Sequence, residues 1–419
     1  MAGLSVVFVS NYINHHQIPF CNAMYGLLEG RFTFVQTEPM EEERVRMGWH
    51  EQERPVYVRC FYEEEEFCRE LIWGSDMVIF GGTDEECYIT PRLRAGKPVI
   101  RYSERLYKTG QWKAVSPRGL RKKYLDHTRY RRAAVYLLCS GAYVASDFHI
   151  VRAYPGKMFC WGYFPETRRY EVDCLLDRKG YGEGQIPRLL WAARMIHWKH
   201  PELAVETARR LREKGLVFHM DIIGDGSLRP SMEELAAAWG LEGCVSFLGY
   251  RSPEEVRQYM EKSHIFLFTS DRQEGWGAVA NEAMNSGCAL VADHMIGAVP
   301  FLVRNGENGF IYEDGKKEQL FALAEKLVED RALCRDLGKE AYKTISQVWN
   351  GENAAGELLK LIGNILGDGK EGTAWRNKQG GGEGKFIKGK MAGAGEKFRP
   401  APCLPAPVLS ERRARRLAD

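Results

Sequence analysis

Short, unbroken apolar runs recur along this chain at intervals wide enough to hold a helix, and few folds accept that pattern. Residues 4–10 (LSVVFVS) end in polar Asn11 and give way to a helical pattern over about 15–28. A strand apolar on both faces needs cover on both sides, which a parallel sheet flanked by helices supplies. The beat repeats at 32–36, 77–80, 99–102 and 135–139, with helical stretches such as 67–73 and 118–134 between. A helix over about 142–152 closes the run.

The pattern breaks at Pro155 and passes through WGYFPETRRY into a polar, glycine-containing stretch, 177–185. A second alternation follows, with strands expected at 189–193, 218–223, 245–248, 265–269 and 289–292 and helices at 316–330 and 333–348. The reading is therefore α/β, two Rossmann-like domains facing across a cleft at the carboxyl ends of their strands. The expected division is an acceptor-side domain at 1–165, a linker at 166–186 and a second domain at 187–349. A terminal helix at 350–366 then leads into a tail, 367–419, rich in Gly, Lys, Arg and Pro and expected to be disordered.

At 419 residues, 44% hydrophobic and 27% charged, the chain has material for two cores and falls outside the disordered and membrane classes. Its formal charge of +3 sets up no global field for nucleic acid. Charge is instead local, with eleven Lys/Arg against Glu104 and Asp126 between Arg101 and Arg132. That stretch is a solvated basic helix or a seat for an anionic membrane surface or lipid diphosphate. Eleven cysteines, scattered without a C-x-x-C pair, fit a reducing cytoplasm. MAGLSVVFVSNY reads as a buried strand rather than a signal peptide, and no run approaches the roughly 20 apolar residues of a membrane span. The expected location is cytoplasmic, with any membrane contact peripheral.

The densest signal is EGWGAVANEAMNSGCALVADHMIGAVP, 274–300, directly after the apolar IFLFTS. A helix is expected to start near Gly277, placing the amides of Gly275, Trp276 and Gly277 at its N-terminus, where the backbone favours an anion or sugar hydroxyls. Glu274 and Glu282, eight positions apart, can face one cleft from two levels. By spacing alone, two such glutamates fit a solvated face or a cap better; the surrounding glycines and the strand before them shift the balance. The E-x7-E pattern in its glycine loop, running on to GAVP, resembles family 4 of the retaining glycosyltransferases, which have the GT-B fold. The resemblance covers roughly 187–349. It implies that Glu282 holds the nucleotide ribose, that Glu274 and the Gly275–Gly277 backbone hold the donor sugar, and that Gly297 and Ala298 lie near the sugar or diphosphate.

The same resemblance places a basic pair after the first strand of the second domain, where Arg194 and Lys199 stand in LLWAARMIHWKHPELAVETARRL. Two fixed cations can stabilise the charge a diphosphate gains as the glycosidic bond breaks. IIGDGSLRP has Gly224-x-Gly226 at a strand end without the third glycine of a dinucleotide fingerprint, and the resemblance puts that turn and Tyr250 at the nucleotide. A turn glycine and a half-buried tyrosine are the structural alternatives. In the first half, Asn11, His15 and His16 stand at the mouth of the cleft, in a loop with no glycine, placed either to touch donor sugar or acceptor or to cap the helix that follows. Glu104, in RYSERLYK, is a candidate to position or deprotonate an acceptor hydroxyl, and the histidine the family often uses nearby is not assignable to His127.

The function implied is a hexosyltransferase-type enzyme taking sugar from a nucleotide-sugar to a saccharide or lipid-linked acceptor, in cell-surface polysaccharide or glycoconjugate synthesis. No cofactor or metal is expected, since no D-x-D stands beside the donor motif. The alternatives are a sugar-nucleotide epimerase, a phosphorylase-like enzyme whose cofactor lysine motif is not found, and a catalytically silent sugar-nucleotide-binding subunit.

Overall fold

The computed structural model describes residues 3–42, 54–111, 114 and 116–367. Two all-parallel sheets carry the fold. The first holds β1 (Val6–Ser10), β2 (Phe32–Gln36), β3 (Val58–Cys60), β4 (Met77–Phe80), β5 (Val99–Ser103), β6 (Val135–Ser140) and β7 (Met158–Trp161), in the order β3-β2-β1-β4-β5-β6-β7. The second holds β8 (Arg188–Ala192), β9 (His219–Ile223), β10 (Val245–Gly249), β11 (Ile265–Phe268), β12 (Ala289–Asp293) and β13 (Gly309–Tyr312), in the order β10-β9-β8-β11-β12-β13. In each sheet the order reverses beside the first strand, between β1 and β4 and between β8 and β11, which opens a crevice at the carboxyl ends of those strands.

Every residue of β1, β4, β11, β12 and β13 is buried, as strands covered on both faces require. Three strands lie outside the sequence expectation, β3, β7 and β13, and each is an edge strand of three or four residues. At three or four residues, each gives too brief a run to stand out between its flanking turns. The helix expected over 118–134 stops at Asp126, because His127 turns into the core against Phe148 and meets the Tyr154 hydroxyl at 2.6 Å through Nδ1.

Within the stretch expected as a linker, Val172–Lys179 is a helix that packs on the second domain. Lys179 Nζ donates to the Met260 and Ser263 carbonyls at 3.1 and 2.5 Å, and Asp177 pairs with Arg335 at 2.7 Å. The terminal helix Gly351–Gly367 packs back on Ile18–Leu27 of the first domain, so closely that a Cβ on Gly351 would lie 2.8 Å from the Phe20 nitrogen. An aromatic bridge joins the halves where these two crossings meet. Phe164 stacks on Trp349 with ring centres 6.0 Å apart, and Trp276 lies 5.6 Å from Trp349. Among the described residues no helix is long and apolar enough to cross a membrane. The tail at 368–419 lies outside the described residues.

Candidate active site

The turn after β8 is shaped by its neighbours. Gly224 has φ +132° and a Cβ there would fall 1.8 Å from the Ala193 carbonyl oxygen; at Gly226 it would fall 2.5 Å from that of Met195. The Gly-x-Gly turn is thus required by close backbone packing on 193–195, the segment that carries Arg194. Met195 N donates to the Asp225 carbonyl at 2.8 Å and fixes the contact. Arg194 is exposed, and its guanidinium carbon lies 5.8 Å from the centre of the Trp198 ring; Lys199 Nζ lies 4.2 Å from the same centre. One indole therefore spaces the two cations.

Lys199 is held from below. Thr269 Oγ1, just past β11, donates to the Lys199 carbonyl at 2.7 Å and accepts from Trp191 Nε1 at 2.8 Å. Asp271 N donates to the Trp198 carbonyl at 3.0 Å. The His200 imidazole stands between Asp271 and Glu202, whose hydrogen bonds push its pKa up to about 10. The Lys199 ammonium pairs with the Glu274 carboxylate, both side chains largely buried.

The helix after Glu274 spans Val279–Asn285, beginning two residues later than expected, and its seven residues give only a weak dipole. Glu282 sits in its first turn. The loop presses on the first domain. A Cβ on Gly297 would lie 1.7 Å from the Gly275 oxygen, and one on Gly275 would lie 2.0 Å from Glu104 Oε2. Ala142 N donates to the Gly297 carbonyl at 2.9 Å, and Ala298 N donates to that of Trp276 at 3.0 Å. The Trp276 indole does not face the cleft: it is fully buried in the aromatic bridge and donates to Asn281 Oδ1 at 2.9 Å, leaving only backbone for a ligand.

Glu282 looks toward the first domain, with His16 Nε2 at 3.8 Å and 17% of the side chain exposed. Burial raises its pKa. Arg257 binds the Glu282 carbonyl at 3.1 Å and Asn285 Oδ1 at 2.6 Å, rather than the carboxylate. A cavity of about 590 Å³ opens beside it, lined among others by His15, Asn22, Arg168, Arg257 and Asn350.

On the facing side, Glu104 receives the Tyr163 hydroxyl at 2.6 Å on Oε1 and pairs with Lys108 through Oε2. Asn11 Oδ1 accepts from Ser10 Oγ at 3.2 Å, and its carbonyl receives Thr37 N at 2.9 Å. The His15 and His16 rings lie 3.9 Å apart. Tyr250 is exposed rather than half-buried, at 47%. The basic stretch is not one surface: Arg101 is buried against Glu86 at 2.6 Å, Arg105 against Asp147 at 3.5 Å, and Lys113 lies outside the described residues. Helix Pro117–Asp126 remains on the surface, with Leu120 and Tyr124 exposed among its cations.

The structure thus gathers Lys199, Glu274, Gly275, Gly297, Ala298 and Glu104 at one seam and joins Glu282 to His15 and His16 beside it. Thr269, Asp271, His200, Trp198, Lys108 and Tyr163 escaped the sequence reading. Lys108 had a signal, four residues from Glu104; Tyr163 had none, lying 59 residues away.

Residues 177–344 match the family described as glycosyl transferases group 1. The matched region takes in the whole of the second sheet. It contains Arg194, Lys199, Glu274 and Glu282. The chain is 30% identical over 180 residues to the amylovoran biosynthesis glycosyltransferase AmsK of Erwinia amylovora, covering 42% of this chain and 44% of that protein. It is 29% identical over 202 residues to alpha-D-kanosaminyltransferase of Streptomyces kanamyceticus, covering 48% and 50%. The match thus spans about half the length of these relatives or less. In fold, the chain superposes on Anabaena HepE in complex with UDP with a TM-score of 0.63 at 15% identity, over 86% of this chain and all of that one. Beyond the matched region, the likeness is one of fold, the two-domain GT-B architecture.

Proposed function

We propose that this chain is a retaining glycosyltransferase that moves a hexosyl group from a nucleotide-sugar to a saccharide or lipid-linked acceptor. The observation that carries the reading is the Lys199–Glu274 pair, with Arg194 set beside the same Trp198 indole, in the turns that follow β8 and β11. As the bond from the sugar's anomeric carbon to the phosphate oxygen breaks, the leaving diphosphate gains charge that Arg194 and Lys199 stabilise. The acceptor oxygen bonds to the same face of that carbon, and its proton passes to the departing phosphate. Glu274 holds Lys199 in place and offers its remaining acceptor capacity to sugar hydroxyls, while the cavity beside Glu282 takes the nucleoside.

The Anabaena protein is in complex with UDP, which makes uridine the first base to try. The Erwinia relative is named for amylovoran biosynthesis, in keeping with a role for this chain in cell-surface polysaccharide or glycoconjugate synthesis. Exposed Leu120 and Tyr124 on a basic helix suit peripheral contact with an anionic membrane at the cytoplasmic face. Two fixed cations supply the charge a divalent ion would otherwise bring, so activity is expected to survive chelation. The test is thermal stabilisation by UDP, GDP, ADP and their sugar conjugates. One nucleotide series raising Tm in the wild type and not in Arg194→Ala or Glu282→Ala supports the reading; a folded protein that no series stabilises overturns it.

A further inference from the structure

Two imidazoles from the first domain and a carboxylate from the second meet at one point of the cleft. His15, His16 and Glu282 each bring a ligand atom within 4.8 Å of the others. They come from the loop after β1 and from helix Val279–Asn285, so anything holding all three spans the domain boundary. The Glu282 carboxylate is mostly out of water, and the neighbouring guanidinium of Arg257 is committed to the Glu282 carbonyl and to Asn285. A buried carboxylate without a full cationic partner favours the arrival of positive charge.

We propose that His15, His16 and Glu282 bind a borderline transition-metal ion, of the Zn2+ kind, that ties the two domains together across the cleft. Two imidazole nitrogens and one carboxylate oxygen are a ligand set suited to Zn2+ and unlike the all-oxygen shells of Mg2+ or Ca2+. Ligand bonds of about 2.0–2.2 Å in a tetrahedron need donor atoms within about 3.5 Å of one another. The present 3.8 Å between His16 Nε2 and Glu282 Oε1 is close to that, and side-chain rotation closes the remainder. The cavity lined by His15 and Glu282 gives the ion a way in and room for a water as fourth ligand. A consequence rests on the reading of Glu282 as the ribose carboxylate: metal and nucleotide then exclude each other, and the ion acts as a lock on the unloaded enzyme.

The experiment is a Co2+ titration of the full chain in a phosphine reductant, followed by displacement with Zn2+. Expected are visible d–d bands without a thiolate charge-transfer band, saturating at one ion per chain. His16→Ala and Glu282→Gln, shown to be folded by their melting in chelator, are expected to lose more than the roughly 10–100-fold in affinity that removal of a supporting group costs. No saturable spectrum, a thiolate band, or affinity unchanged in both folded variants overturns the proposal. Excess UDP is then added. If it stabilises the protein and weakens Co2+ binding, both readings stand; if UDP binds while Co2+ never does, the metal site alone falls. If Co2+ binds as expected and none of UDP, GDP and ADP competes or stabilises, the site stands and the donor reading falls.

Discussion

The two sheets share a topology, yet the turns that follow their equivalent strands are prepared in different ways. After β8, the backbone that carries Arg194 and Lys199 is wedged by Gly224 and Gly226 and pinned through Thr269 and Asp271. After β1, Gly82 packs on Ser10 and Asn11 much as Gly224 packs on Ala193, but His15 and His16 further along reach across to Glu282 of the other domain. A site that must stabilise charge developing on a phosphate gains from fixed cations, since they need no reorganisation during reaction. A surface that must accept different acceptors has no such requirement, and its chemistry is free to vary while the fold is kept.

The comparison breaks first at the cations. Arg194→Ala is expected to lower kcat by about 10²–10³, the cost of removing one preorganised electrostatic donor, with little change in folding because the side chain is exposed. A kcat within a few-fold of wild type would mean that the rigid turn serves structure alone. The seam comes second. Gly141 has φ +124°, and a Cβ there would lie 2.8 Å from the Gly275 oxygen and 3.2 Å from the Gly297 Cα. Gly141→Val should hold the domains apart and lower kcat roughly tenfold to a hundredfold through misplacement. Nucleotide-induced stabilisation should be largely kept, because Arg194, Lys199, Glu274 and Glu282 belong to the second domain and the first adds only the His15 and Asn22 wall of the cavity. Loss of both would show that the first domain helps to hold the nucleotide.

Glu104 sharpens the comparison on the acceptor side. Both of its oxygens are engaged, by Tyr163 and by Lys108, which suits a group that positions the seam better than one that takes a proton. Glu104→Gln should therefore lower kcat by less than about tenfold and leave the pH–rate profile in place, well short of the 10²–10⁴ that loss of a general base costs. A larger loss, with the basic or acidic limb of the profile displaced, would make Glu104 the base.

How much of this was legible follows from the range over which each signal acts. The central strands announced themselves because burial on both faces forces continuous apolar runs, as in β1 and β11; the edge strands β3 and β7 are only partly buried, and β13, buried throughout, is four residues opened by Gly309. Glu274, Glu282, Arg194 and Lys199 were readable because one local strand, loop and helix presents them in order. The glycine turn at 224–226 was visible, but its reason was not, since the atoms that exclude a side chain belong to 193–195. The packing of the Trp276 indole was unreadable for a related cause: a loop position beside two glycines gives no hint that Tyr163, Phe301 and Trp349 converge on it from distant segments. Tyr163 on Glu104 likewise depends on the linker's path between domains.

The smallest expected effect concerns the support beneath Lys199. His200 occupies the left-handed region at φ +52°, and its imidazole is held by Asp271 and Glu202, which raise its pKa to about 10. In the unfolded chain its pKa is about 6.5. Protonation thus favours the folded state: this contribution is fully present below about pH 6.5 and is lost as pH rises toward 10. Because the imidazole is about one-third exposed, solvent screening limits the contribution to about 1 kcal/mol or less. Asn tolerates left-handed backbone, so His200→Asn removes the charge without adding strain. Denaturant unfolding of wild type and variant at pH 6 and pH 9.5 should show a stability difference at the lower pH that shrinks at the higher one. An equal difference at both would assign the role of His200 to packing, and the rigidity beneath Lys199 would then rest on Thr269 and the Asp271 backbone instead.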